Sequence, residues 1–337
     1  MAALHFDMEL DNRPLIRPFS IATGVRTHQP VLTVRLSQGD HVGVGQATGV
    51  SYLKDTPPQM KDQIAAVARQ IEAGVDRSAL QKILPAGGAR AALDAALWDL
   101  DAKRTGVSVA DQIGVKSGAL ESVFTIGLDT PEAMAERTHI ESWRPILKVK
   151  LGGSPDQEAA RIRAVADAAG STRLVTDANA AWTPDQLIEL APIAADAGFE
   201  LIEQPLPAGA EQAPDARAAL LAASQSVPLC VDESFQSLDD FDAVADLYQF
   251  INIKLDKCGG LTEGLKIRDR ARAKGLGIFV GCMISPTIAI APAFLLAQGA
   301  DYVDLDGPFW LHDEPVELTS DGLFAPISPQ VWGGSHA

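Results

Sequence analysis

The stretch Pro145-Ile-Leu-Lys-Val-Lys-Leu-Gly-Gly153 is a short apolar run that ends in two lysines and two glycines. Similar apolar or β-branched runs recur after residue 122 and alternate with stretches rich in Ala, Leu, Arg and Glu. The eight runs are residues 123–128, 146–151, 173–177, 199–203, 228–232, 250–254, 277–281 and 301–304. This α/β pattern predicts a modified TIM (β/α)-barrel, whose reactive groups lie where the strands end.

Residues 1–115 have a different texture and predict an α+β capping domain. Residues 31–36 alternate like a strand, and residues 41–46 are its expected hairpin partner across the turn Gln38-Gly-Asp40. Helices are expected near 57–73 and 88–104. We therefore predict a capping domain at 1–115, a barrel at 116–312, and a C-terminal segment at 313–337 that returns toward the capping domain.

A doubly wound open sheet is the main alternative to a closed barrel. Such a sheet would bind a nucleotide through a glycine-rich turn after its first strand. The run at 123–128 is followed by Asp-Thr-Pro-Glu instead. The sequence therefore favours the barrel.

The net charge of the 337-residue chain is −16, which argues against nucleic acid or an anionic membrane surface as a partner. Cys230, Cys258 and Cys282 are odd in number and lie in or beside apolar runs, as expected for free thiols in a reducing compartment. The start of the chain lacks the features of a signal peptide. Residues 275–300 carry no charge, but two prolines and several glycines interrupt them, so a buried strand and helix are expected there rather than a membrane span. We expect a cytoplasmic protein.

Three consecutive strands end in an acidic residue. These residues are Asp177, Glu203 and Asp232. Carboxylates at the ends of neighbouring barrel strands lie close together, and their mutual repulsion favours a bound cation. Because the donors are all oxygens, the sequence predicts a hard divalent ion, and Mg²⁺ fits best.

Lysines approach the same end of the barrel from two sides. Lys148 and Lys150 are two residues apart on one strand and so share a face, while Lys254 ends the sixth strand, opposite the second. Repulsion between the paired ammonium groups is expected to lower the pKa of at least one of them. Two opposed amines predict inversion at a carbon next to a metal-bound carboxylate, through an enediolate that the ion and Lys148 stabilise.

Asp304 and Asp306 follow the eighth run at a spacing of two, and they are expected to share a face. Together they could receive a substrate ammonium group. Capping of the next segment is the alternative reading of this pair.

The set Lys148-x-Lys150, Asp177-x-Asn179, Glu203-Gln-Pro, Asp232-Glu-Ser and Lys254 resembles the muconate lactonizing enzyme subgroup of the enolase superfamily. The resemblance runs nearly end to end and includes the capping-domain helix at 89–99. It implies that Asp177, Glu203 and Asp232 bind Mg²⁺, that Lys150 and Lys254 are the acid/base pair, and that Lys148 supports the enolate. Barrels of this family often form homo-oligomers.

Within the subgroup, Asp304-x-Asp306 and Gly281-Cys-Met-Ile-Ser285 resemble segments of dipeptide epimerases of the L-Ala-D/L-Glu type. The resemblance implies a dipeptide substrate whose ammonium group meets Asp304 and Asp306. Arg26 is the candidate for binding the glutamate side chain, although Arg17 is not excluded. Substrate contacts are also expected from Asn179, Met283 and Ser285.

Three other functions remain open at this point. Racemisation of an N-acyl amino acid such as N-acetylglutamate would use the same lysines but offer no ammonium group to the Asp304/Asp306 pair. An o-succinylbenzoate synthase or a cycloisomerase would need only one lysine as base. A metal-binding barrel without catalysis would not need the lysine pair at all.

Overall fold

The computed structural model describes residues 4–21 and 24–335. The capping domain contains a three-stranded antiparallel sheet of β1 (His5–Ile21), β2 (Gly24–Gln38) and β3 (His41–Ala47). The expected hairpin is present, with Gln38 paired to His41. The sequence reading missed β1, which includes two prolines but pairs with β2 along most of its length.

Helices follow the capping sheet. They are α1 (Pro57–Ala66), α2 (Ala68–Glu72), α3 (Arg77–Ile83), α4 (Gly88–Thr105) and α5 (Val109–Gln112). The single helix expected at 57–73 is interrupted at Val67, whose φ of −109° and ψ of 14° are not helical. Helix α4 is buried along nearly its whole length between the capping sheet and the barrel.

Eight parallel strands form the second domain and confirm the predicted barrel. In sheet order they are β11 (Tyr302–Asp304), β10 (Gly277–Gly281), β9 (Phe250–Lys254), β8 (Leu229–Val231), β7 (Phe199–Glu203), β6 (Arg173–Asp177), β5 (Ile146–Lys150) and β4 (Phe124–Ile126). A backbone hydrogen bond of 2.8 Å from Val123 N to Val303 O joins the two ends of the sheet. Leu305 N also donates to Ser122 Oγ at 3.0 Å.

Helices surround the strands. They are α6 (Pro131–Glu141), α7 (Pro155–Ala169), α8 (Pro184–Asp196), α9 (Pro214–Ala223), α10 (Phe241–Val244), α11 (Leu255–Cys258), α12 (Leu261–Lys274) and α13 (Thr287–Leu296). Several begin with proline at the first helical position, where its missing N–H costs nothing. Thr130 and Thr183 cap α6 and α8 by accepting from backbone N–H groups. No helix in the described ranges is long and apolar enough to span a bilayer.

Strand alternation divides the barrel into two cores. On β5, Leu147 and Val149 pack outward against the helices, whereas Ile146 packs inward with residues of the other strands. The inner apolar layer consists of Val123, Ile146, Val175, Leu201, Cys230 and Phe279. Since Lys148 and Lys150 share the inward face with Ile146, they lie above this layer at the carboxyl end of the barrel.

A buried polar contact joins the capping domain to the end of α11 and the start of α12. Arg90 on α4 donates to Cys258 O at 2.6 Å and to Gly259 O at 3.3 Å. Asp94 accepts from Thr262 N at 2.9 Å and from Thr262 Oγ1 at 2.5 Å. Gly259 has a φ of +82°, and a Cβ there would lie 2.2 Å from Arg90 Nε. Only glycine fits between the two domains at this point.

The C-terminal segment contacts the capping domain. Trp332 Nε1 donates to Val44 O at 3.0 Å, and Gly333 N donates to Asp99 Oδ1 at 2.9 Å. Gly333 O in turn accepts from Val109 N at 2.9 Å. The domain boundaries at 115 and 312 stay a prediction.

Candidate active site

The three predicted acids lie buried at the carboxyl ends of neighbouring strands. Asp177 ends β6, and Glu203, its partner in the strand register, ends β7. Asp232 follows β8. Their exposed fractions are 0%, 0% and 1%. The structure therefore brings together the acids that the sequence placed at three consecutive strand ends.

Each predicted lysine is paired with one or more of these acids. Lys150 Nζ lies 2.6 Å from Asp177 Oδ2. Lys254 Nζ lies 2.7 Å from Asp232 Oδ2. Lys148 Nζ lies 2.6 Å from Glu203 Oε2, 3.2 Å from Asp177 Oδ2 and 2.7 Å from Asp304 Oδ2. The cluster thus alternates positive and negative groups, so that each buried charge is paired.

Pairing with carboxylates sets the direction of the lysine pKa values. Burial alone would lower the pKa of Lys148, but Asp304, Glu203 and Asp177 outweigh it and raise that pKa well above its ordinary value. The same balance, with Asp232 and Glu203 as partners, raises the pKa of Lys254. For Lys148 the direction is opposite to that expected from lysine–lysine repulsion, because acids lie closer to its amine than the sequence alone indicates.

The acids themselves differ in proton affinity. Burial, together with repulsion from Asp177, raises the pKa of Glu203 to about 7. Burial would raise the pKa of Asp177 as well, but Lys150 and Lys148 reverse the shift and lower it to about 2. Of the two, Glu203 is the acid whose charge is less compensated by neighbouring lysines.

Asp304 and Asp306, at and just beyond the end of the eighth strand, have different surroundings. Asp304 ends β11 and pairs with Lys148. Asp306 lies beyond the strand with helical φ and ψ, and its Oδ2 accepts from Thr125 N at 2.9 Å and from Trp310 Nε1 at 3.3 Å. Its side chain does not cap the 3-10 helix that follows. Burial and repulsion from Asp304 raise the pKa of Asp306 to about 6.

The two candidate arginines lie at the capping domain. Arg26 donates to Gln29 Oε1 at 2.7 Å and to Ser51 Oγ at 3.1 Å. These hydrogen bonds keep Arg26 within the capping domain rather than on the acids and lysines of the barrel. The Arg17 guanidinium instead lies over the ring of Trp310, 4.6 Å from its centroid, and so contacts the residue that donates to Asp306.

Asn179, Met283 and Ser285 also lie at the carboxyl end of the barrel. Asn179 has a φ of 45° and donates from its backbone N to Asp177 Oδ1 at 2.8 Å. Ser285 Oγ lies 3.1 Å from Thr48 Oγ1 of the capping domain. The loop that carries Met283 packs so closely on Gly307 that a Cβ there would lie 2.5 Å from Met283 O.

Sequence reasoning missed several polar residues of the cluster. Lys257 Nζ lies 2.5 Å from Asp232 Oδ1, and Asn252 Nδ2 donates to Glu203 Oε1 at 2.7 Å. Gln204 Oε1 accepts from Asp232 N at 2.9 Å. Burial raises the pKa of Glu233 to about 8, with Asp232 adding to the shift. Gln204 and Glu233 stand inside the motifs Glu203-Gln-Pro and Asp232-Glu-Ser, so their place next to a predicted ligand was the available signal. Asn252 and Lys257 are 49 and 25 positions from their partners, and the sequence carried no such signal for them.

The donor chemistry fits a hard cation. Asp177, Glu203 and Asp232 supply carboxylate oxygens, the ligands that Mg²⁺ prefers. Two further oxygens nearby, Asn179 Oδ1 and Glu233 Oε2, are buried without a hydrogen-bond partner among the described residues. Among the described residues, no three Asp, Glu, His or Cys side chains are already arranged to bind one metal ion. The lysines explain this, since they pair with the acids and supply the positive charge.

Comparison with known families gives matches over both domains. Residues 7–114 match the N-terminal domain described as mandelate racemase/muconate lactonizing enzyme. Residues 132–320 match the family described as enolase C-terminal domain-like. The two matches cover most of the capping domain and the barrel.

Two curated relatives share 38% of aligned residues with this chain. One is the L-Ala-D/L-Glu epimerase of Escherichia coli, aligned over 88% of this chain and 91% of its own length. The other is the N-acetyl-D-glutamate racemase of a Pseudoalteromonas species, aligned over 87% and 92%. Both are isomerases by name.

Solved structures show the same likeness. An enolase family member from Agrobacterium tumefaciens with homology to dipeptide epimerases, bound to sodium and L-Ala-L-Glu, superposes with a TM-score of 0.92 at 37% identity, covering 98% of this chain and 100% of its own. A dipeptide epimerase from Methylococcus capsulatus, in complex with Mg and L-Arg-D-Lys, superposes with a TM-score of 0.87 at 30% identity, covering 97% and 98%.

Proposed function

Because the chain belongs to the mandelate racemase/muconate lactonizing enzyme family of the enolase superfamily, we propose that it is a Mg²⁺-dependent isomerase that inverts the α-carbon of a dipeptide. L-Ala-L-Glu and L-Ala-D-Glu are the proposed pair of substrates, in keeping with its relatives. One observation carries the proposal. Lys150 and Lys254 are buried, each is paired with a different aspartate, and they lie at the carboxyl end of the barrel on opposed strands.

Strand order supports opposite roles for these lysines. Lys150 ends β5 and Lys254 ends β9, which lie four strands apart in a ring of eight. Amines on opposite walls reach opposite faces of a carbon held between them. The neutral amine of one lysine takes the α-proton, and the ammonium of the other donates a proton to the other face. Inversion needs one lysine in each state, and the reverse reaction exchanges their roles.

Asp177, Glu203 and Asp232 are the residues that would hold Mg²⁺. Bound there, the ion would withdraw electrons from the substrate carboxylate and make the adjacent C–H more acidic. Lys148 lies between Glu203 and Asp304, where its fixed positive charge would stabilise negative charge that develops on the substrate.

Asp306 is the proposed acceptor of the substrate ammonium group. Asp304 is already paired with Lys148, whereas Asp306 has two N–H donors on one oxygen and no lysine partner among the described residues. Arg26 is proposed to bind the substrate side chain, which requires it to exchange its bonds to Gln29 and Ser51. Asn179, Met283 and Ser285 are proposed to line the same cavity.

Exchange of the substrate α-proton tests the proposed reaction. L-Ala-L-Glu and L-Ala-D-Glu are each incubated with the Mg²⁺-loaded protein in D₂O, and the α-proton signal is followed by NMR. We expect deuterium to replace the α-proton of both isomers while each converts to the other. Failure of both isomers to exchange, with the chain folded and Mg²⁺ bound, contradicts the proposal.

Racemisation of N-acetylglutamate is the second candidate, and the pairing of Asp304 with Lys148 favours it, because only Asp306 then remains for a cation. Asp306→Asn separates the two. Loss of a charged hydrogen bond of about 1.5–3 kcal/mol should lower kcat/KM for the dipeptide roughly 10- to 150-fold and leave N-acetylglutamate nearly unchanged. A larger loss on N-acetylglutamate would favour the second candidate.

The location and assembly of the protein are also proposals. Three free cysteines support a reducing compartment, and we propose the cytoplasm. We also propose a homo-oligomer. Fractionation and light scattering are the corresponding measurements.

A further inference from the structure

Lys257 is a buried lysine for which the proposed reaction has no role. It lies in α11, is 2% exposed, and follows Lys254 by three residues. Its Nζ donates to Asp232 Oδ1 at 2.5 Å, to Asp232 O at 2.6 Å and to Asn252 O at 3.4 Å. An ammonium group has three N–H donors, so these bonds use its full capacity.

The two oxygens of Asp232 are divided between two lysines. Oδ1 lies against Lys257 and Oδ2 lies 2.7 Å from Lys254. The Lys257 amine is held by two backbone carbonyls as well as by the carboxylate. Arg90 further fixes the end of α11 through Cys258 O. Lys257 is thus anchored, whereas the only hydrogen bond that the Lys254 side chain makes among the described residues is to Oδ2.

We propose that Lys257 is a positioning residue that reserves Asp232 Oδ1, so that Asp232 offers a divalent ion one oxygen, Oδ2. This restriction favours Mg²⁺ over Ca²⁺. Mg²⁺ takes six ligands in a strict octahedron, whereas Ca²⁺ takes six to eight and often binds both oxygens of one carboxylate. The inference rests on the proposed role of Asp232 as a metal ligand.

A purely neutralising role for Lys257 predicts something different. If Lys257 only balanced the charge of Asp232, its removal would change the affinities for Mg²⁺ and Ca²⁺ in the same proportion. If it reserves Oδ1, removal frees a second oxygen, and the larger ion gains more. The ratio of the two dissociation constants therefore distinguishes the roles, and it does not depend on catalysis.

The test compares the metal-free full chain with its Lys257→Met variant, titrating MgCl₂ and CaCl₂ separately by calorimetry. We expect the ratio of Kd for Ca²⁺ to Kd for Mg²⁺ to fall about tenfold in Lys257→Met, because the freed Oδ1 adds a ligand for Ca²⁺, which takes six to eight oxygens, but not for Mg²⁺, which takes six. Lys103→Met is the matched control. Lys103 also donates to a buried aspartate and a backbone carbonyl, Asp99 Oδ2 at 2.9 Å and Val42 O at 2.7 Å, but within the capping domain. This control should leave the ratio unchanged.

An unchanged ratio in Lys257→Met, with Mg²⁺ still binding the parent chain, overturns this inference alone. If the parent chain binds neither ion, the proposed metal site fails as well. Should Lys257→Met not fold, a crystal structure of the parent chain soaked in CaCl₂ decides the question. We expect Asp232 to contact Ca²⁺ through Oδ2 only, and two bonded oxygens would overturn the inference.

Discussion

Adding one methyl group at Gly259 should cost far more stability than the same change at Gly275. Both glycines have a φ of +82°, and they flank helix α12 at its two ends. The left-handed conformation costs an alanine roughly 1–2 kcal/mol, and this term is common to Gly259→Ala and Gly275→Ala. The surroundings differ, since a Cβ at Gly275 would have no atom within 4 Å.

At Gly259 the new Cβ would lie 2.2 Å from Arg90 Nε and 2.8 Å from Arg90 Cζ. Arg90 is 6% exposed, so its guanidinium has no free space to move into without giving up bonds to Cys258 O and Gly259 O. Hydrogen bonds from a charged group contribute about 1.5–3 kcal/mol each, so losing one or both adds about 1.5–6 kcal/mol. This addition is the predicted difference between the two variants.

Urea unfolding at 25 °C, followed by circular dichroism, measures the free energy of unfolding of both variants and the parent. We also expect Gly259→Ala to lose activity in native buffer, because Gly259 ends helix α11, which directly follows Lys254. Equal losses of stability in the two variants, within about 0.5 kcal/mol, would refute the assignment of Arg90 as the contact that excludes a side chain.

Three further predictions concern the lysines, a buried acid and the metal. Lys150→Ala and Lys254→Ala should each abolish epimerisation but retain α-proton exchange from one stereoisomer, opposite in the two variants; equal residual exchange from both isomers in each variant would contradict opposed faces. Burial raises the pKa of Asp94 to about 6, so the folded chain binds this proton more readily than the unfolded chain. The free energy of unfolding should therefore fall as pH rises from about 4 to 6, by up to about 3 kcal/mol relative to Asp94→Asn, and identical pH profiles would exclude this. Chelation should lower the melting temperature, and Mg²⁺ at 100 times its Kd should restore about 2.7 kcal/mol. Glu203→Gln should weaken that response, and a full response in this variant would argue against Glu203 as a ligand.

The barrel and the polar residues at its strand ends could be predicted from the sequence because strand alternation is a local property. On β5 it places Lys148 and Lys150 inside, as expected. The same rule is less informative after Asp304, since β11 ends there and Asp306 adopts helical angles. A pattern of spacing does not reveal where a strand stops.

Long-range contacts were the other part that the sequence could not supply. Lys257 follows Lys254 by three residues, but its contact with Asp232 depends on the short helix α11, which brings its amine to the residue after β8. Strand β1 alternates apolar and acidic residues from Phe6 to Asp11, but that alternation does not reveal its pairing with β2 or the register between the two strands. The pKa of Lys148 likewise depends on Asp304, which is 156 positions away in the chain.

Asp306 lies where the barrel closes between β4 and β11. Its carboxylate accepts from Thr125 N in β4, close to the Val123–Val303 bond and the Ser122–Leu305 bond that span the same gap. A ligand that binds Asp306 therefore also affects the hydrogen bonds that join β4 to β11. Amide hydrogens of β4 and β11 should exchange with solvent more slowly when such a ligand is bound, which makes the join of the ring a reporter of occupancy.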